Sequence, residues 1–167
     1  GSTPAAGTRF LHNPPKLEMQ NAVAHDYRPQ ALPKILLVED FDDTRLMMKM
    51  WLEKRGYHVI EAETGEQAIS LAQREAPDLI IMDVMMPGMN GLDATQQIRQ
   101  YQALRRTPIV AVSAYGTDEY RRLAIQAGCN EYVSTPFEPS ALADLLASLL
   151  ADGESADLNA QASDLEH

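Results

Sequence analysis

The chain has 167 residues, 45% of them hydrophobic, which suggests one domain with one buried core. Its 14 basic and 24 acidic side chains leave a net charge of −10, which disfavours direct binding to nucleic acid or an anionic membrane. No apolar run approaches the roughly 20 residues of a membrane span, no secretory leader is recognised, and the single cysteine, Cys129, cannot form an internal disulfide, so a cytoplasmic, reducing setting is expected.

In chain order, residues 1–33 hold five of the ten prolines and no sustained hydrophobic period, the composition of a flexible tail. Gly1-Ser2 and Leu165-Glu166-His167 read as cloning and tag remnants, which makes the tail partly vector-derived, with Met19 a candidate natural start. From 34 to 150 the pattern alternates. Short aliphatic runs at 35–38, 57–60, 79–82, 109–112 and 131–133 predict strands, and the segments 43–55, 65–75, 91–100, 118–127 and 138–150 predict helices. Gly56 and Gly128 stand where helix C-termini take a left-handed residue, and Thr64 with Gln67 reads as a capping box. Asp42 and Asp43 precede the first helix and are expected to satisfy its free N–H groups. Residues 151–167 form a second tail with five acids and neither Lys nor Arg, which leaves 11 basic and 17 acidic residues in 34–150.

Apolar strands separated by helices of this length predict one doubly wound (βα)5 domain around a five-stranded parallel sheet, a flavodoxin-like α/β fold. Ligands in such sheets bind beyond the carboxyl ends of the strands, where strand order reverses. Glu39 and Asp40 follow the first strand and Asp83 ends the third. If those two strands are neighbours, three carboxylates converge. A cluster of hard oxygen ligands suits Mg²⁺. Cys129 reads as a small, partly buried filler, since nothing electropositive stands near it in sequence.

The segments "ILLVEDFDDTR", "DLIIMDVMMPGMNG", "PIVAVSAYG" and "GCNEYVSTPFE" resemble the receiver domain of bacterial two-component response regulators over about 34–150. The resemblance implies that Asp83 takes a phosphoryl group from a phosphohistidine on a sensor histidine kinase or histidine phosphotransfer protein. It implies that Glu39, Asp40, Asp83 and the carbonyl of Met85 hold Mg²⁺, that Ser113 bonds the phosphoryl oxygen, and that Tyr132 follows Ser113. Met85 and Tyr115 flank the expected approach of hydrolytic water. A downstream protein is expected on the face of the fourth helix, fifth strand and fifth helix, with Tyr120, Arg121 and Arg122 as contacts, and a homodimer stays open. The Thr135-Pro136 peptide is expected to be cis, as in the family's turn.

One position departs from the family. Where the pattern has a lysine before the proline of "STPF", this chain has Thr135, and residues 129–137 hold no base. The departure leaves two readings: a phospho-accepting receiver, or a receiver-like module that signals by protein contact without phosphate. A hydrolase using an aspartyl-phosphate is disfavoured for want of a cap over the site.

Overall fold

The computed structural model describes residues 31–164, with side chains through residue 155. Residues 1–30, Met19 among them, and residues 165–167 lie outside the described residues, and with them the expected flexible tail and tag remnant. Five strands, β1 (Lys34–Val38), β2 (His58–Ala62), β3 (Leu79–Asp83), β4 (Ile109–Ser113) and β5 (Glu131–Ser134), alternate with five helices, α1 (Asp42–Glu53), α2 (Gly65–Glu75), α3 (Gly91–Ile98), α4 (Asp118–Ala127) and α5 (Pro139–Asp164). All strand pairs are parallel, in the order β2-β1-β3-β4-β5. The predicted doubly wound fold is the observed one.

Each central strand is apolar throughout because both of its faces are covered. Leu36, Val38, Ile80, Met82, Ile109 and Ala111 point into the layer under α2, α3 and α4. Their neighbours Ile35, Leu37, Leu79, Ile81, Val110 and Val112 meet Leu52 of α1 and Leu142 and Leu146 of α5. Cys129 is buried in the first layer, 3.8 Å from the Thr95 hydroxyl, and burial pushes its thiol pKa up, as befits an inert filler.

Local chemistry accounts for the boundaries. Gly56 and Gly128 both adopt positive φ, 85° and 111°. Thr64 caps α2 by accepting from the Gln67 N–H at 3.1 Å, while the Gln67 side chain accepts from Glu63, one residue before the cap. Asp42 and Asp43 correct the sequence reading. They lie inside the first turn of α1, whose N-cap is Phe41 with no side-chain cap bond, and Asp42 is drawn instead onto Arg45 at 2.6 Å. The second strand begins one residue later and runs two residues further than expected. Tyr57 still bonds back to Leu52, and the charge of Glu61 is neutralised within the strand by Lys49 at 2.6 Å.

The third helix ends at Ile98 rather than 100, with Arg99 as its C-cap. Arg99 is still helical in its backbone and bonded through its N–H to the Thr95 carbonyl, while its side chain clamps the segment up to β4. Its guanidinium donates to the carbonyls of Leu104, Thr107 and Gly128 and to Asn130 Oδ1, all within 2.9 Å, which folds Gln102–Leu104 into a short 3-10 turn. The fifth helix continues to Asp164 instead of ending at 150. Past Leu150 the sequence has no proline and several alanines, which is compatible with a continuing helix.

Candidate metal and acceptor site

Strand order reverses between β1 and β3, and their register sets Val38 opposite Met82. Glu39 and Asp40 therefore leave β1 at the level where Asp83 ends β3. One carboxylate oxygen from each lies within 4.8 Å of the other two. The convergence expected from the sequence is present.

The backbone holds these acids in place. Glu39 Oε1 accepts from the Phe41 N–H at 3.0 Å, and Asp83 Oδ1 accepts from the Met85 N–H at 3.0 Å. Gly91, the first residue of α3, presses on the other side. A Cβ there would sit 2.1 Å from the Asp83 carbonyl oxygen, so only glycine lets the β3–α3 turn close this tightly. Asn90 caps the helix by accepting from Leu92 and Asp93.

Crowding has an electrostatic cost. Burial, and after it the charge of Glu39 and contact with Asp40, push the Asp83 pKa up to about 7. The Met85 N–H opposes this without cancelling it. Burial raises Glu39 as well. A cation joining the cluster would favour the ionised form of this carboxyl, its proton passing to solvent.

Arg45 went unnoticed in the sequence. Its nearly buried guanidinium donates to the Glu39 carbonyl at 2.8 Å and to Asp42 and Glu63 at 2.6 and 3.2 Å. Its only signal was a basic residue three after Asp42, a spacing common to exposed helix pairs. Gly91 was placed at the start of the predicted third helix, but its close approach to the Asp83 carbonyl had no signal in the sequence.

The remaining residues fall into two groups. Ser113 is buried at the end of β4, its hydroxyl accepting from the Tyr115 N–H at 3.2 Å, and the Thr135 N–H reaches the Ser113 carbonyl at 2.8 Å. Tyr132 is turned inward, 4% exposed, and its hydroxyl donates to the Tyr115 carbonyl. Tyr115 stacks on Tyr120 with ring centroids 5.0 Å apart, and Arg121 stands 5.8 Å from the Tyr132 ring. Thr135, Pro136 and Phe137 line a cavity of about 390 Å³ beside Asp83, with Met47, Met48 and Trp51 opposite, and no basic residue lines it. The Thr135-Pro136 peptide is cis, in agreement with the sequence expectation. Met85 and Tyr115 are both about half exposed at the rim.

A doubly wound parallel sheet with an acidic triad at its switch point defines the receiver class of signalling domain. The family model of the response regulator receiver domain matches residues 35–147, and the chain belongs to that family. It is 39% identical to the transcriptional regulatory protein ResD of Bacillus subtilis over 106 residues, 64% of this chain and 43% of that protein. It is 37% identical to the sensor protein GacS of Pseudomonas syringae pv. syringae over 117 residues, 68% of this chain and 13% of that protein. The chain thus spans less than half the length of these relatives. Among solved structures it resembles the receiver domain of a sensor histidine kinase from Pseudomonas aeruginosa, solved with a magnesium ion coordinated in its active site cleft. That match has a TM-score of 0.68 and 35% identity, covering 72% of this chain and 99% of the other.

Proposed function

We propose that this receiver takes a phosphoryl group onto Asp83 from a phosphohistidine, with Mg²⁺ held by Glu39, Asp40, Asp83 and the Met85 carbonyl. The observation that supports it most is the meeting of three carboxylates within 4.8 Å at the strand-order reversal. The donor set suits the ion: all ligands are hard oxygens. Mg²⁺ bound there would neutralise charge on the transferring group.

The chain's own residues do the rest. An Asp83 carboxylate oxygen attacks phosphorus as the phosphorus–nitrogen bond of phosphohistidine breaks. The electron pair stays on the imidazole, which leaves as neutral histidine after taking a proton from solvent, and an acyl phosphate remains on Asp83. Ser113 would turn its hydroxyl from the Tyr115 amide to the phosphoryl oxygen. Tyr132, already inward, would then report the change toward Tyr115, α4 and β5. The downstream face of α4, β5 and α5, with Tyr120, Arg121 and Arg122, remains the proposed output surface, and a sensor histidine kinase or phosphotransfer protein the proposed donor.

Thr135 and the cavity without a base favour one second reading, a module that signals by contact alone. Intact mass after incubation with acetyl phosphate decides between them. The proposal expects a Mg²⁺-dependent gain of one phosphoryl group that Asp83→Asn abolishes; an unchanged mass with Mg²⁺ present supports the contact-only reading.

A further inference from the structure

The cavity between α1 and the β5–α5 turn has two unlike ends. Its walls are largely thioether and aromatic, from Met47, Met48, Trp51 and Phe137, and the acids Glu39 and Asp83 are among the residues that line it. At about 390 Å³ it falls within the size range of small-molecule sites, roughly 300–1,000 Å³. It is open to solvent along α1, where Met47 is 68% exposed.

Charge and shape together restrict the occupant. An anion would meet two carboxylates and no base. A neutral apolar molecule would cover the carboxyl groups of Glu39 and Asp83 without offering them a hydrogen-bond partner, which is costly. A cation on an apolar stem satisfies both ends. A primary ammonium offers three donors, matching the two carboxylates and the Thr135 hydroxyl, while an aryl or alkyl stem meets the sulfur and ring surfaces above.

We propose that this cavity is a binding site for a small arylalkyl amine, its ammonium set on Glu39 and Asp83 and its stem between Met48, Trp51 and Phe137. The site shares two carboxylates with the proposed Mg²⁺ set, so amine and metal oppose each other, and by reciprocity each weakens the other by the same factor. Amine binding itself requires neither metal nor phosphorylation. Only its consequence, a receiver restrained by an amine, rests on the phosphoacceptor reading.

The test is a titration of the metal-free full chain with 2-phenylethylammonium and, separately, with 2-phenylethanol, a neutral molecule of the same shape. Trp51, the only tryptophan in the chain, reports by fluorescence, and the amide resonances of Met48 and Phe137 report position. Saturable binding of the amine at these residues, at least ten-fold tighter than the alcohol and weakened by Mg²⁺, is the expected result. Thr135→Lys, which brings its own ammonium to the same corner, should weaken the amine ten-fold or more, and Asp83→Asn should weaken it also. Equal affinity for amine and alcohol, shifts elsewhere on the surface, or no saturation in a folded protein would overturn the proposal. The acetyl phosphate assay is read independently: amine binding without phosphorylation sinks the phosphoacceptor reading alone, and phosphorylation without amine binding sinks this site alone.

Discussion

At the scale of single residues, the site rests on two contacts that are easily tested. Gly91→Ala would drive a methyl group into the Asp83 carbonyl, 2.1 Å away, and backbone rather than a pliant side chain must yield. The expected cost is about 1–3 kcal/mol, the usual range for overpacking, together with a lower rate of Asp83 phosphorylation. Urea unfolding and the mass assay measure the two effects; a variant of unchanged stability and rate would show that Gly91 does not shape the site. Arg45→Met would keep the apolar stem but leave the partly buried Glu39 carbonyl and its acidic neighbours without their donor. A loss of about 1–3 kcal/mol is expected, with weaker Mg²⁺ binding through a displaced Glu39, and Arg45→Lys should recover only part because an ammonium lacks the forked geometry.

Asp83 itself should make stability depend on pH in the absence of divalent ions. Its carboxyl titrates near 3.8 when unperturbed and near 7 in the fold. Between those values the native state holds a proton that the unfolded chain has released, so stability falls as pH rises through that window. The raised Glu39 acts in the same direction. Urea midpoints of the wild type in EDTA should therefore decline relative to Asp83→Asn between pH 5 and pH 8, and Mg²⁺ should reverse the decline. Parallel curves for the two proteins would show that Asp83 carries no such strain.

At the scale of elements, Tyr132 ties β5 to the loop between β4 and α4. Its hydroxyl has one partner, the Tyr115 carbonyl, and its ring is buried. Tyr132→Phe keeps the packing and removes the bond, so a loss of about 0.5–1.5 kcal/mol is expected, with faster amide exchange confined to the loop from Ala114 to Thr117. Exchange that quickens equally across β4 would instead mean that the ring, not the bond, holds the loop. Helix and strand cores were legible in the sequence because periodicity reports burial, and burial sets them. At the missed ends of β2 and α3 stands a charged residue whose partners lie outside its own element. Glu61, in the part of β2 beyond the expected end, meets Lys49 of α1, and Arg99, just past Ile98, donates to the carbonyls of Leu104, Thr107 and Gly128. No local pattern announces either.

At the scale of the whole molecule, the triad was legible because sheet topology obeys few rules and strand ends are visible as the edges of apolar runs. The cavity beside it was not, since its walls come from α1 and from the β5–α5 turn, roughly ninety residues apart. The absence of a base there was visible in the sequence only locally, at 129–137; the fold extends it to every residue of the cavity wall. Thr135→Lys would restore a cation, and the response of the Ser113 and Tyr132 amides to beryllofluoride with Mg²⁺ should become larger than in the wild type, with little change in unfolding midpoint because residue 135 is exposed. Identical responses would show that Thr135 does not limit coupling.

The most direct measurement is of where a phosphoryl group goes. Incubation with acetyl phosphate and Mg²⁺, reduction of any acyl phosphate with borohydride and peptide mapping should convert Asp83 alone to homoserine, with no conversion in EDTA and a marked reduction in Asp40→Ala. Conversion at another carboxylate, or none at Asp83 in a folded, Mg²⁺-bound protein, would contradict the assignment of Asp83 as the acceptor.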